Sequence, residues 1–273
     1  MARITSEARH PPSPRVALVT GATGAIGRAI AEQIAACPGY EVILLGRDAD
    51  RTQAAVAEIK RRTRNPRVRF ELVDLARQES IAALAARWSG PVHVLINNAA
   101  ITPRSREENP EGIELQFATN VLGYFRMIAA FSDYLVDAAP ARVVNVASYW
   151  AGGLDLDDLE FRHRDYDNNA AYRQSKQADR MLTVAFAERL KDKGVTVNAC
   201  HPGDVASTLS RNLGFGGHET PDQAARTPAW LATDAVVSIV SGKYFEYQRD
   251  VSCPFGADRD AVEGLYRACE GYG

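Results

Sequence analysis

Apolar residues follow two alternating patterns along this chain. Consecutive runs at 16–19 (Val-Ala-Leu-Val), 42–45, 68–73, 92–96, 143–147 and 195–200 predict strands. Between them apolar positions recur at helical spacing, as with Ile26, Ile30 and Ile34. Helices are expected near 52–62, 79–87, 111–137 and 170–192. A last strand near 243–247 and a helix near 258–270 close the series. Runs apolar on consecutive residues suit strands covered on both faces, and repeated strand–helix alternation implies a parallel sheet. With right-handed crossovers the pattern predicts an α/β fold, doubly wound, with a mainly parallel sheet of about seven strands.

No linker separates two cores and no repeat of solenoid period is visible, so residues 15–273 read as one domain. Residues 1–14, with Pro11, Pro12 and Pro14, read as a flexible tail. Only 204–228 breaks the rhythm, holding Asn212, Gly214, Gly216 and Gly217. A long irregular segment in a compact fold is usually functional, and this one is expected to cover a substrate.

Composition narrows the class. The 273 residues are 46% hydrophobic and 24% charged, as in an ordinary globular protein. The 32 basic and 34 acidic side chains leave a formal charge of −2, which argues against nucleic acid as a bulk partner. Cys37, Cys200, Cys253 and Cys269 are scattered, without a CxxC pair, and suit a reducing compartment. His163, His201 and His218 lack metal-ligand spacing, so no metal is expected. No signal peptide and no membrane anchor is visible, and the expected location is the cytoplasm.

The first chemical signal is Thr20-Gly-Ala-Thr-Gly-Ala-Ile-Gly27, between the first strand and first helix. A helix N-terminus offers unpaired N–H groups and a positive dipole end to a phosphate. Gly21 permits the tight turn, Gly24 lets backbone approach the ligand, and Gly27 lets the helix pack on the strand. The turn resembles the TGxxxGxG of the short-chain dehydrogenase/reductase family, with Ala25 where the middle glycine usually falls. It equally fits the TGxxGxxG of the family's extended branch, so the turn alone does not choose between branches. The resemblance implies a Rossmann-type fold and a nicotinamide dinucleotide contacted by Gly21, Thr23, Gly24, Ile26 and Gly27.

The second strand ends Gly46-Arg47-Asp48. Arg47 can fork a 2′-phosphate and favours NADP(H); its alternative is a solvated arginine. Asp48 either caps the next helix or, if the strand ran one residue longer, holds the ribose of NAD(H). NADP(H) is the expected cofactor. The resemblance further implies adenine contacts at Asp74 and Leu75. It also implies a turn beside the adenine ribose at Asn97-Asn-Ala-Ala100, with Asn97 and Ala99 as contacts and Ala100 for the family's glycine.

Tyr172-Arg-Gln-Ser-Lys176 opens a predicted helix, and i, i+4 residues share a face. A phenol near pKa 10 is a poor acid at neutrality, and a nearby cation is expected to lower it. Alone, such a pair is commonly surface decoration. The family set completes it: Ser148 after the strand 142–147 binds the substrate oxygen, and Asn120 holds a relay water. Pro202-Gly203, Val205 and Ser207 lie beside the nicotinamide, Ser207 standing where many members have Thr. The motifs run in order over about residues 15–208. They imply hydride transfer to or from a carbonyl/alcohol substrate, with Tyr172 as acid or base and Lys176 on the ribose.

Ser148 and Tyr172 are farther apart than in the commonest members. The extra stretch, 150–171, resembles the retinol-dehydrogenase-like group, as do Ser241-Gly-Lys-Tyr-Phe245 and Gly264-Leu-Tyr-Arg267. Trp150 either lines the pocket or packs the core; an apolar, fairly bulky substrate is expected. Two rivals are an extended-type nucleotide-sugar epimerase or dehydratase, and a non-catalytic NADP-binding redox sensor. Against the first stand the Asn-Asn and Pro-Gly turns and the short C-terminal region; against the second, the intact Ser/Tyr/Lys/Asn set. A monomer or homodimer is expected, since the insertion lies near the family's usual pairing face.

Overall fold

The apolar runs form strands because helices cover both of their faces. In this computed structural model, which describes residues 13–272, eight strands make one sheet. The tail expected at 1–14 lies, apart from 13 and 14, outside the described residues. The first half runs β1 (Arg15–Thr20), α1 (Ala25–Ala36), β2 (Tyr40–Gly46), α2 (Ala49–Thr63), β3 (Val68–Leu72), α3 (Gln78–Arg87) and β4 (Val94–Asn97). A π-helical turn, Phe117–Leu122, leads into α4 (Gly123–Asp137), then β5 (Ala141–Val146), α5 (Asn168–Leu190) and β6 (Val195–His201). Short helices α6 (Thr208–Asn212), α7 (Pro221–Ala224) and α8 (Arg226–Thr233) precede β7 (Tyr244–Glu246), β8 (Arg249–Val251) and α9 (Arg259–Glu270).

The sheet order is β3-β2-β1-β4-β5-β6-β7-β8, parallel except for β8. Chain direction across the sheet reverses between β1 and β4, and ligands of such sheets bind in that crevice, beyond the strands' C-terminal ends. Residue alternation sorts the core. Leu18, Ile43, Leu95, Val143 and Val197 face α3, α4, α5 and α9. Val19, Val42, Leu44, Val94 and Ile96 face α1, α2 and α8.

Three elements depart from the pattern read in the sequence. The eighth strand is additional to the expected seven or so. Arg249-Asp-Val251 is short, polar and at the edge, so no apolar run announces it. It pairs antiparallel with β7 through a turn whose Tyr247 and Gln248 have φ of 49° and 62°. The helix expected over 111–137 begins only at Phe117, and with a π turn. Segment 204–228 is less irregular than expected: Ser207 and Thr220 each close a capping box at α6 and α7.

Insertion 150–171 is held by charge and hydrogen bonds. Buried Glu160 accepts from Glu114 N at 3.0 Å and from the Tyr272 hydroxyl at 2.8 Å. Asp158 accepts from Arg162 N at 2.6 Å and pairs with Arg164 at 3.3 Å. Gln174 on α5 donates to Leu159 O at 2.9 Å, tying the insertion over the helix that carries Tyr172.

Candidate active site

The glycine turn supplies the first half of the site by what it lacks. Gly21 has φ +64°, and a Cβ there would stand 2.7 Å from Ala99 Cα. A Cβ on Gly27 would collide with the Gly21 carbonyl and the Asn98 amide. Both glycines therefore let β1, α1 and the end of β4 approach closely. Gly24 is the N-cap of α1 and no side chain caps that terminus, which leaves its N–H groups facing outward. An uncapped helix start in a glycine cradle fits a pyrophosphate.

Around it, Thr23 lies beside Gly46, and half-buried Ile26 lines the cavity described below. Arg47 is exposed just beyond the end of β2. Asp48 is committed to α2, its carboxylate accepting from Arg51 N at 3.0 Å. Asp74 turns its Oδ1 onto Ala76 N at 3.1 Å, and buried Leu75 packs against Gly123.

Of the paired asparagines, Asn97 points its amide away from the crevice, into the sheet, donating to Asn145 Oδ1 at 3.0 Å. Its neighbour Asn98 faces the crevice. Asn98 donates to Thr20 O at 2.9 Å, so it steadies the glycine turn. The sequence does not single out Asn98, because which of the paired asparagines faces the crevice depends on where β4 ends.

A cavity of about 80 Å³ joins the two halves. Ile26 and Asn98 line one end, and Ser148, Tyr172, Lys176, His201, Pro202 and Gly203 the other. Asp204, Val205, Ser207, Leu209 and Phe215 close it, so 204–215 forms a wall of this cavity. The Ser207 hydroxyl is engaged at home, accepting from Ser210 N at 3.1 Å. Trp150 also packs near this wall, its ring 5.8 Å from Phe215 and 6.2 Å from Tyr172.

Helix α5 starts at Asp167, whose carboxylate accepts from Ala170 N at 2.7 Å, and this start sets Tyr172 and Lys176 on its buried face. The Ser148 hydroxyl accepts from Trp150 N at 3.1 Å and lines the same cavity as Tyr172. Lys176 Nζ lies 5.8 Å from the Tyr172 ring, donating to Val146 O at 3.0 Å and to Asp179 Oδ2 at 2.9 Å. Asn120 sits in the π turn and clasps Ile101, accepting from its N at 2.9 Å and donating to its O at 3.0 Å. In this arrangement Asn120 bonds neither Tyr172 nor Lys176; its amide reaches Ser175 Oγ at 3.4 Å.

Burial raises the Tyr172 phenol above its ordinary pKa, while Lys176 acts in the expected direction and lowers it, as does Ser148. Lys176 is itself buried, which favours its neutral form, yet Asp179 and the neighbouring phenols hold it above its ordinary value. His201 is 3% exposed with no partner for either ring nitrogen among the described residues. Burial, helped by the Arg180 charge, pushes it down to about 4, so its imidazole is neutral at pH 7. His163 and His218 are exposed.

Residues 15–214 match the short chain dehydrogenase family. The chain is 35% identical to retinol dehydrogenase 13 of Mus musculus, over 92% of this chain and 81% of that protein. It is 34% identical to a probable oxidoreductase of Streptomyces antibioticus, over 85% of this chain and 84% of the other. Among solved structures, an uncharacterised protein of Mycobacterium paratuberculosis superposes with a TM-score of 0.78 at 28% identity, covering 95% of this chain and 93% of that one.

Proposed function

The chain belongs to the short-chain dehydrogenase family and is an oxidoreductase; from that premise we propose an NADP(H)-dependent reductase of ketones or aldehydes on an apolar, fairly bulky molecule. The observation that carries the reading is one cavity lined both by Ile26 of the glycine turn with Asn98 beside it and by Ser148, Tyr172 and Lys176. A nucleotide held at the turn would extend toward the reacting side chains.

The preference for NADP(H) is supported by the ends of β2 and α2. Arg47 is exposed and free to fork a 2′-phosphate, whereas Asp48 is occupied as a helix cap. The apolar character of the substrate is supported by Trp150, Leu209 and Phe215 around the cavity, and by the name of the retinol dehydrogenase relative. No described helix is long and apolar enough to cross a membrane, and the four cysteines are unpaired, which agrees with a cytoplasmic enzyme. Helix α9 and the insertion lie over α5, favouring a monomer or a homodimer built on another face.

A nicotinamide dinucleotide held at the turn would supply the hydride for the carbonyl carbon. Ser148 and Tyr172 hydrogen-bond the substrate oxygen and orient its carbonyl. The Tyr172 hydroxyl gives up its proton as negative charge grows on that oxygen, and Lys176 stabilises the phenolate left behind. Asn120, through its clasp on Ile101, holds the chain segment behind β4 against the π turn. A panel of ketones, aldehydes and alcohols, read by NADPH consumption or formation, tests the reading. Turnover that vanishes in Tyr172→Phe is expected. Nicotinamide binding without turnover across the panel would favour the redox sensor instead.

A further inference from the structure

One turn beyond Lys176, α5 carries Asp179. Asp179 is fully buried and its Oδ2 lies 2.9 Å from Lys176 Nζ. Its other oxygen, Oδ1, has no hydrogen-bond partner among the described residues. The carboxylate is thus aimed at one group, the ammonium that also faces Tyr172. Desolvation penalises each ion, and their pairing offsets part of that penalty for both. Together they form a dipole whose negative end subtracts from the field that Lys176 exerts on the phenol.

We propose that Asp179 is a positioning residue that acts through Lys176: by pairing with the ammonium it weakens the stabilisation of the Tyr172 phenolate and keeps the proton donor protonated to higher pH. The inference rests on the carbonyl-reductase reading. It adds a residue that no motif contains, and it says which way that residue tunes the reaction.

The other groups around the pair do not supply this charge. From α4, the Tyr124 ring lies 5.1 Å from Lys176 Nζ, but burial holds its phenol well above the ordinary value and it stays neutral. From β6, Cys200 is buried and its thiol is pushed up. From α9, Cys269 is pushed up to about 12, first by burial and then by Asp179 itself. Asp204, in the loop after β6, also acts on Tyr172, from a half-buried position where water screens it. On α5 itself, Arg180 directs its guanidinium to Ser148 O and over the Tyr244 ring at 3.5 Å. Asp179 is the one fully buried carboxylate among these groups. Burial pushes it up to about 6, with Lys176 opposing, so it is ionised at neutral pH.

The sign follows from the two forms of Tyr172. Alcohol oxidation needs the phenolate and is lost as pH falls through the phenol pKa. Carbonyl reduction needs the phenol and is lost as pH rises through it. In Asp179→Asn the carboxylate charge is gone, while Lys176 keeps its bond to Val146 O and its place beside the Tyr124 and Tyr172 phenols; its ammonium then acts on Tyr172 without the opposing charge. Both limbs of kcat/KM against pH should move to lower pH, by about one unit, as for a charge near a buried acid. Asp179→Ser removes the same charge with a smaller side chain and should move the limbs the same way. Asp179→Glu keeps the charge and should keep the wild-type midpoint.

Limbs that stay in place in a folded Asn or Ser variant overturn the proposal, and so does a Glu variant that shifts as far as Asn. A purely structural role would lower activity without moving either limb. Ultraviolet difference titration, each protein against its Tyr172→Phe counterpart, reads the phenol pKa without any substrate. If the wild type turns over nothing on the panel, the reductase reading fails, and the titration still decides the role of Asp179.

Discussion

The two ends of the cavity are built by opposite means. At the glycine turn, side chains are missing where the backbone must approach, and the useful groups are main-chain N–H groups at the start of α1. At the far end, Ser148, Tyr172, Lys176, Asp179 and His201 are side chains taken almost wholly out of water. The first end binds through geometry that many small residues could provide. The second depends on charges whose values are set by burial and by one another. Damage at the glycine end should therefore change binding, and damage at the buried end should change chemistry.

The largest expected effect tests the second half of that contrast. Tyr172→Phe removes the hydroxyl while keeping the ring that packs near Trp150. General acid–base catalysis contributes about 10²–10⁴, so kcat should fall by that range, with the cofactor dissociation constant nearly unchanged. Gly24→Val tests the first half. Gly24 has an ordinary φ of −80°, and a Cβ there would meet only the Gly21 carbonyl, at 3.4 Å. The fold should tolerate the change, while the methyl groups crowd the approach to α1. An increase of roughly tenfold or more in the cofactor KM is expected, equivalent to about 1.4 kcal/mol, with a nearly unaltered melting temperature. If the two variants exchanged their readouts, the division of labour would collapse.

The same contrast explains what could be read before the structure. Strands β1, β2 and β4 are legible because each carries a run of consecutive apolar residues, as at Val42-Ile-Leu-Leu45, the pattern of strands covered on both faces. The glycine turn and the Tyr172–Lys176 pair are legible because backbone approach and i, i+4 spacing are local properties. The inward turn of Asn97 and the crevice position of Asn98 depend on where β4 ends, which periodicity does not resolve. The π turn at Phe117–Leu122 leaves no pattern of its own in six residues. Asp179 was invisible for a stronger reason: an aspartate inside a helix ordinarily reads as solvated, and only tertiary packing puts it at 0% exposure beside an ammonium. The Tyr172 phenol lies above its ordinary pKa for the same cause, since burial, which outweighs the lowering by Lys176, is a property of tertiary packing.

Intermediate effects belong to cofactor choice, where backbone geometry gives way to one exposed side chain. A charge-assisted hydrogen bond contributes about 1.5–3 kcal/mol. Arg47→Ala should therefore lower the preference for NADPH over NADH about 10–100-fold, measured as the ratio of kcat/KM values. The kcat at saturating cofactor should hardly move, because Arg47 lies at the end of β2, away from the reacting side chains. An unchanged ratio removes Arg47 from the cofactor site.

The smallest expected effect separates the two roles that Asp48 could play. Its carboxylate accepts from Arg51 N at 3.0 Å and closes the first turn of α2. Replacing a helix N-cap by alanine costs about 1 kcal/mol. Asp48→Ala should thus lower the stability to urea by about that amount, while the NADPH/NADH ratio of kcat/KM stays where it was. The opposite result, unchanged stability with loss of NADH use, would mean that the carboxylate leaves its cap to hold a ribose hydroxyl. Asp48 would then belong with the residues that bind through a side chain, and the glycine end would no longer be a site of backbone and Arg47 alone. Oδ1 is held on Arg51 N, so a ribose contact made with the cap in place would have to use Oδ2, and a variant that lost both stability and NADH use would show that Asp48 plays both roles.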